Sequence, residues 1–227
     1  MKIKILPLAA AALLLLSLAG CGTEQDSSVS SSGRSSQHSV SRQLRRAREK
    51  NSDVVGWLTV DGCEIDNPVF QGEDNEEYLR VDEEGNSDVW GCYFMDYENT
   101  AGAGGLQDSV TIIYGHSLED EADSEKFSKL KRYKDASFAR RHPEISLELM
   151  SGQTQWQIFS ACDVPVSLDY IDPNPSQKDL EFTLDFLTRY SYVDFGTSVG
   201  RQDRILILST CTSDESIRYV IAARLKQ

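Results

Sequence analysis

The chain has 227 residues, of which 23 are basic and 36 acidic, giving a formal net charge of −13 at pH 7. This length provides for one medium-sized domain with a substantial core and excludes a second domain of similar size. The negative charge argues against nucleic acid as a partner, because phosphate backbones attract basic surfaces.

The first twenty residues have the pattern of a secretion signal. Lys2 and Lys4 precede an apolar stretch over residues 5–19, which is short for a membrane span and is interrupted by Pro7. The stretch ends in Leu18-Ala19-Gly20-Cys21, which resembles the lipobox of bacterial lipoproteins, where lipid is attached to the cysteine. We expect residues 1–20 to be removed and Cys21 to carry the lipid. An uncleaved signal anchor with an incidental Cys21 is the alternative.

Residues 21–39 are predicted to be a flexible tether. They are mostly Ser, Gly, Thr, Gln and charged residues, which cannot bury enough apolar surface to fold. Folding is expected to begin at Val40, because Val40, Leu44 and Ala47 form one stripe of a short helix that ends near Asn51. Its basic side is interpreted as a solvated face. The folded domain therefore spans residues 40–227.

Short strand-like runs dominate that domain. Strands are predicted over residues 54–60, 65–70, 92–95, 110–114, 145–149, 155–162, 205–210 and 217–225, with a hairpin signal at Asp61-Gly62. Helices are predicted over 178–190, within 138–141 before Pro143, and near 125–133, where Phe127, Leu130 and Tyr133 have helical spacing. Many short strands with a few helices indicate a mainly β, α+β domain of barrel type.

Three candidate catalytic residues lie at strand ends. Cys211 comes after the apolar run 205–208, His116 follows the strand at 110–114, and Arg218 lies at the start of the last strand. A thiol must lose its proton to attack, and a carbonyl under attack needs a donor for its oxyanion. We therefore interpret Cys211 as a nucleophile, His116 as its acid/base partner and Arg218 as the donor. The alternative is that Cys211 is a small core residue, as free cysteines often are.

The other cysteines do not form a recognisable framework. Once Cys21 and Cys211 are assigned, Cys63, Cys92 and Cys162 remain, an odd number without C-x-x-C spacing. A disulfide framework or a zinc site is therefore not expected. We interpret these three as small residues of strands and turns, and leave open that one pair forms a bridge.

Six segments along residues 40–227 resemble the class B sortases, in the order of that family. They are residues 51–62, 65–69, 74–79, 94–97, 113–116 and 208–211. The resemblance implies an eight-stranded β-barrel with an N-terminal helix and peripheral helices. It also implies an extracellular cysteine transpeptidase of Gram-positive bacteria, held at the outer face of the cytoplasmic membrane through its N-terminus. Family members usually keep a transmembrane anchor, whereas this chain has a lipobox.

The resemblance also implies a reaction and partners. Cys211 would attack a Thr-Gly-type bond in the C-terminal sorting signal of a surface protein, and His116 would protonate the departing amine. Arg218 would stabilise the oxyanion or orient the substrate, and an amine of a peptidoglycan stem peptide or a pilin would resolve the thioester. The residues that correspond to the family's peptide-binding positions are Asn75, Leu79, Tyr114, Ser209 and Thr210. Core roles for Leu79 and Tyr114, and a turn role for Asn75, remain alternatives.

No cofactor and no metal are expected. The acidic clusters at residues 82–84 and 119–121 lack the spacing of an EF-hand loop. Two other functions fit the same residues. One is a cysteine peptidase or amidase that hydrolyses cell-envelope peptides with water, and the other is a non-catalytic peptide-binding lipoprotein, which the lipobox and tether suggest.

Overall fold

The computed structural model describes residues 40–102, 104–117 and 125–226. The predicted signal (1–20), the tether (21–39) and the lipid site at Cys21 lie outside the described residues. The described part contains helices α1 (Arg42–Lys50), α2 (Ala136–Arg141) and α3 (Gln177–Arg189). Its strands are β1 (Val54–Val60), β2 (Ile65–Phe70), β3 (Tyr93–Met95), β4 (Ala101–Gly102), β5 (Gly105–Leu106), β6 (Val110–Tyr114), β7 (Glu144–Leu149), β8 (Gly152–Pro165), β9 (Ile205–Cys211) and β10 (Ile217–Leu225).

Eight strands close into a barrel in the order β1-β2-β3-β6-β9-β10-β8-β7, and β4 pairs separately with β5. Neighbouring barrel strands are antiparallel except for two parallel pairs, β2 with β3 and β6 with β9. The prediction of a mainly β, α+β barrel with an N-terminal helix and peripheral helices is confirmed.

Strand β9 is buried on both faces. Leu206 and Leu208 point into the barrel, whereas Ile205 and Ile207 belong to a second core beneath α3. This explains why the strand reads as a continuous apolar run instead of alternating with polar residues. Each of these side chains contributes about 1.5–3 kcal/mol by burial, so the strand that ends in Cys211 is held firmly.

Helix α1 packs mainly through Leu44, with Ala47 partly buried against the same core. Ser41 caps it by accepting a hydrogen bond from the Leu44 backbone N–H at 3.2 Å, and Leu44 is buried in a third core with Val54 and Phe70. The arginines of α1 are exposed, as the solvated-face interpretation predicts. Within the described residues, no helix is both long enough and apolar enough to span a bilayer.

Two predicted elements differ in detail. The helix near residues 125–133 is a 3₁₀ helix, Lys126–Lys134, in which Phe127, Leu130 and Tyr133 are fully buried. Their spacing of three residues matches the 3.0-residue turn of a 3₁₀ helix better than the α-helical turn. The strand predicted at 155–162 is longer, because β8 pairs with β7 before that range and with β10 after it.

Candidate active site

The parallel pairing of β6 with β9 brings two strand ends together. Tyr114, the last residue of β6, pairs with Ser209 of β9. The Gly115 backbone N–H then donates to the Ser209 carbonyl oxygen at 3.3 Å, which continues the pairing past the end of β6. Because parallel strands end at the same edge, His116 and Cys211 both lie at this rim of the barrel.

Arg218 reaches the same rim from β10. It pairs directly with Cys211 across the antiparallel β9–β10 ladder, and residues that are opposite in such a ladder project from the same face. The Arg218 Nη1 donates to the carbonyl oxygens of Glu215 at 2.8 Å and Ile217 at 3.0 Å. The guanidinium is therefore fixed at the β9–β10 turn, beside the cysteine.

His116, Cys211 and Arg218 line one cavity with a volume of about 560 Å³. Side chains alternate along a strand, so Ser209 and Cys211 share the face of Ile205 and Ile207, outside the barrel. Residues 166–171, which follow β8, also line the cavity, and the Tyr170 hydroxyl lies 2.8 Å from Ser209 Oγ of β9. The cavity is large enough to enclose a short peptide segment.

Cys211 differs from the other described cysteines in its exposure. All four are free thiols, and Cys63, Cys92 and Cys162 are buried whereas Cys211 is exposed. Burial raises the pKa of Cys63 and Cys92 to about 12 and that of Cys162 to about 11, so these thiols are unreactive at neutral pH. The interpretation of Cys211 as a small buried core residue is therefore wrong. No pair among these four cysteines is bridged.

The imidazole of His116 has a defined tautomer. Its Nε2 lies 2.8 Å from the Leu79 carbonyl oxygen, and a carbonyl only accepts, so Nε2 carries the proton and Nδ1 keeps a free lone pair. Burial lowers the pKa of His116, an effect that the Leu79 carbonyl opposes and nearby Arg80 reinforces. The ring is therefore neutral near pH 7 and able to accept a proton through Nδ1.

Close packing fixes the backbone segment that carries His116. A Cβ on Gly115 would lie 2.7 Å from ring carbons of both Phe127 and Tyr93, two rings that pack on each other in the core. The Thr210 Oγ1 donates to the Gly115 carbonyl oxygen at 2.6 Å. Only glycine fits at this position, and the hydroxyl of Thr210 joins the His116 segment to the Cys211 strand.

The five predicted peptide-binding residues, Asn75, Leu79, Tyr114, Ser209 and Thr210, all line the same cavity. Two of them are strongly engaged within the protein. Ser209 and Thr210 are only 2% and 3% exposed, and Ser209 Oγ lies 2.8 Å from the Tyr170 hydroxyl. Their hydroxyls shape the cavity wall, whereas Asn75, Leu79 and Tyr114 are partly open to the cavity.

The structure adds residues that the sequence analysis did not single out. Tyr170 and Ile171 line the cavity from the segment 166–171, Phe94 also lines it, and Asp96 bonds the hydroxyl of the lining residue Tyr114. An aromatic and an aliphatic residue in a polar loop between a strand and a helix were an available signal for Tyr170 and Ile171. No local sequence pattern could have identified Asp96, because Asn75 and Tyr114, which donate to its carboxylate, are distant in sequence.

No metal site is evident in the part of the chain that the structure describes. There, no group of three or more His, Cys, Asp or Glu side chains is arranged to hold a metal ion. The chemical groups at the cavity are a thiol, an imidazole and a guanidinium. This set fits covalent catalysis by a nucleophile with a general base and an oxyanion donor.

Known proteins share this sequence and architecture. A family model described as the sortase domain matches residues 58–226, which contain every cavity residue named above. Sortase B of Listeria monocytogenes is 35% identical over 192 residues, 82% of this chain and 75% of that protein. Sortase B of Staphylococcus aureus is 32% identical over 193 residues, 83% of this chain and 77% of that protein. A solved Staphylococcus aureus sortase B-substrate complex matches with a TM-score of 0.74 at 32% identity, over 84% of this chain and 87% of that chain.

Proposed function

This chain belongs to the sortase family and is a cysteine transpeptidase, and from that premise we propose that it cleaves a sorting signal at a Thr-Gly-type bond and transfers the acyl group to an amine. The proposed catalytic residues are Cys211, His116 and Arg218. The observation that carries the proposal is that these three residues, from three separate elements, line one cavity beside an exposed thiol.

The first half-reaction forms a thioester. The Cys211 thiol gives its proton to His116 Nδ1, and Sγ bonds to the carbonyl carbon of the peptide while the electron pair of the C=O bond moves to oxygen. When the tetrahedral intermediate collapses, the C–N bond breaks. The imidazolium returns its proton to the departing amine nitrogen. The neutral state of His116 near pH 7 supports its role as the initial base.

The second half-reaction forms the new amide. An incoming amine attacks the thioester carbon, and His116 Nδ1 accepts a proton from the amine nitrogen. The C–S bond then breaks, and the departing sulfur of Cys211 takes the proton from the His116 imidazolium, which regenerates the free thiol and the neutral ring. Sorting signals and amine nucleophiles are the substrates that sortase membership implies. We assign the amine to a cell-wall stem peptide or a pilin, and the sorting signal to the C-terminus of a surface protein.

Arg218 is suited to bind the oxygen on which negative charge develops. Guanidinium groups remain charged and present several donors in a fixed plane. The described bonds of Arg218 to backbone oxygens use Nη1, which orients the group while Nη2 and Nε stay available as donors. Because Arg218 pairs directly with Cys211 and both residues line the cavity, we assign those donors to the oxyanion.

The peptide is proposed to bind in extended form along the cavity. Leu79 and Tyr114 provide apolar surface for its side chains, and Asn75 provides polar contacts for its amide groups. Ser209 and Thr210 contribute mainly by holding the wall, because their hydroxyls are bonded within the protein. Tyr170 and Ile171 add apolar surface to the cavity lining.

Hydrolysis is the competing outcome at the same site. Because Cys211 is exposed, water can reach the thioester and release a free acid. A sorting-signal peptide is incubated with the protein, with and without an oligoglycine or stem-peptide amine, and the products are read by mass spectrometry. We expect an amide product that increases with amine concentration. Free acid alone, unaffected by amine, would instead identify a hydrolase.

The assignment of the nucleophile has its own test. Cys211→Ala removes the sulfur without adding bulk, and no amide product or thioester should form. Amide formation by this variant at the parental rate would refute the assignment. Cys162→Ala is the matched control, because it removes a buried thiol outside the cavity and should leave peptide cleavage intact.

Attachment to the outer face of the cytoplasmic membrane is part of the proposal. The support is the sequence pattern of Lys2, Lys4, the apolar stretch and the Leu18-Ala19-Gly20-Cys21 segment. Metabolic labelling with a fatty-acid probe tests it. The parent chain should label and Cys21→Ser should not. Equal labelling of the two would exclude lipid on Cys21 and favour a signal anchor.

A further inference from the structure

A buried aspartate lies behind two cavity residues. Asp96 directly follows β3 and is only 1% exposed. Its Oδ2 accepts a hydrogen bond from Asn75 Nδ2 at 2.9 Å and another from the Tyr114 hydroxyl at 2.6 Å. Asn75 and Tyr114 both line the cavity. One carboxylate therefore connects two cavity residues that lie far apart in the sequence.

Asp96 is held in place on several sides. Its backbone N–H donates to the Ile112 carbonyl oxygen at 3.0 Å, and its own carbonyl accepts from Gln71 Nε2 at 2.8 Å. Its Oδ1 accepts from the Glu98 backbone N–H at 2.9 Å. Rotation of the side chain would leave buried groups unpaired, at about 1–3 kcal/mol for each. The carboxylate of Asp96 is therefore a rigid acceptor for three donors, Asn75, Tyr114 and Glu98.

This contact determines which kind of hydrogen bond Tyr114 can offer. A carboxylate only accepts, so the single hydroxyl proton of Tyr114 is directed to Asp96. Burial and the bond to Asp96 raise the pKa of Tyr114, so the phenol keeps that proton at physiological pH. With that proton directed to Asp96, the phenolic oxygen has only lone pairs to offer to any other group. A ligand group that contacts it must bring its own N–H or O–H.

The same carboxylate fixes the amide of Asn75. The Asn75 Oδ1 accepts from the Tyr97 backbone N–H at 3.1 Å, while its Nδ2 donates to Asp96. Flipping the amide would place two acceptors together at Asp96 and two donors together at Tyr97. Asn75 therefore meets the cavity in one orientation.

We propose that Asp96 is a positioning residue for peptide recognition, which orients Tyr114 and Asn75 so that the cavity selects a peptide N–H donor at the Tyr114 hydroxyl. The inference rests on the proposed function, because the donor belongs to the peptide that Cys211 cleaves. Asp96 acts through its two neighbours and is not a catalytic residue.

Asp96→Asn tests the inference because it reverses the polarity at nearly constant size. With the amide oxygen kept on the Glu98 N–H, the new NH₂ faces Tyr114, which then accepts and points its proton into the cavity. The same NH₂ also faces Asn75 Nδ2, which loses its acceptor. The substrates are a sorting peptide and a series in which each backbone N–H is methylated in turn and each side-chain amide is dimethylated in turn. The position at which methylation lowers kcat/KM shows whether the donor belongs to the main chain or to a side chain of the peptide.

For the wild-type protein, blocking the critical N–H should lower kcat/KM about tenfold, mainly by raising KM. For Asp96→Asn, kcat/KM should be nearly the same for the blocked peptide and the unblocked one. Tyr114→Phe should also remove the loss of kcat/KM that blocking causes. The double variant should respond to blocking as each single variant does, because both changes act at one hydroxyl. Melting temperature and the rate of Cys211 alkylation by iodoacetamide report whether each variant is folded.

Asp108→Asn is the matched control. Asp108 is also a buried carboxylate, 5% exposed, which bonds Asn99 and Asn174 outside the cavity lining. This variant should keep the wild-type penalty for the blocked peptide. The inference is refuted if Asp96→Asn and Tyr114→Phe both show the full wild-type loss of kcat/KM on the blocked peptide. If Asp96→Asn does not fold, the result for Tyr114→Phe alone is used: the full loss refutes the inference, and no loss supports it. Loss of the inference would leave the proposed function intact as long as Cys211→Ala remains inactive.

Discussion

The hydrogen bond from Thr210 to Gly115 joins the two strand ends on which the proposed chemistry depends. Thr210 precedes Cys211, Gly115 precedes His116, and the Oγ1 to carbonyl distance is 2.6 Å. Thr210 is only 3% exposed, so water does not readily replace its hydroxyl. Thr210→Val keeps the branched shape and removes this donor from the Gly115 carbonyl oxygen.

The expected cost has two parts. Removing one partner of a buried hydrogen bond costs about 1–3 kcal/mol of unfolding free energy. In a domain of this size each kcal/mol shifts Tm by about 2–4 °C, so we expect a fall of several degrees. The effect on activity comes from geometry. A misplacement of about 1 Å at a reacting group can lower the rate about 100-fold, so kcat should fall by one to two decades, about 10- to 100-fold.

Thr210→Ser is the matched control, because it loses a methyl group and retains the hydroxyl. Thermal unfolding gives Tm, and steady-state cleavage of a sorting peptide gives kcat and KM for both variants. We expect Thr210→Val to have a much lower kcat than Thr210→Ser, with a smaller change in KM. Equal kcat values for the two variants would show that this bond does not position the catalytic groups.

Three further outcomes follow from the site. Gly115→Ala should destabilise the fold by about 1–3 kcal/mol and lower kcat, because the new methyl group meets the buried rings of Phe127 and Tyr93; parental Tm and kcat would contradict this packing argument. Arg218→Ala should reduce turnover by two to three decades, about 2.7–4 kcal/mol of barrier, and Arg218→Lys should restore little of it; full activity with lysine would exclude the oxyanion role. Burial lowers the pKa of His116, so the acid limb of kcat/KM that reports this group should lie below its ordinary value of 6.5, and an acid limb above that value would contradict the assignment.

The sign of the His116 shift also has a consequence for stability. The folded protein binds this proton less readily than the unfolded chain does, so the unfolded chain gains protons first as the pH falls below 6.5. The contribution of His116 to stability is therefore unfavourable in acid and absent above 6.5. His116→Gln should reduce the loss of Tm between neutral and mildly acidic pH. An unchanged pH dependence of Tm in this variant would contradict the linkage.

Much of the fold could be predicted from local sequence patterns. The apolar run of β9, the β-branched run of β6 and the Asp61-Gly62 turn predicted strands and a hairpin, because these patterns depend only on neighbouring residues. The apolar pattern near Phe127 predicted a helix but not its type, since apolar residues spaced three apart in a short stretch are compatible with both an α-helix and a 3₁₀ helix. The thiol, imidazole and guanidinium were identified because each lies at the end of such a strand. The resemblance of the chain to the sortases is confirmed by the comparisons.

The sequence by itself thus determined the barrel class, the approximate positions of the strands and the chemical groups of the site, because each of these depends on local periodicity and on residue type. Only the tertiary structure decided which contacts join those groups. The register of β6 against β9, the wall formed by residues 166–171 and the bonds of Asp96 to Asn75 and Tyr114 link positions that are distant along the chain. Such contacts exist only after the barrel has closed, because closure brings these distant groups within hydrogen-bonding distance of one another.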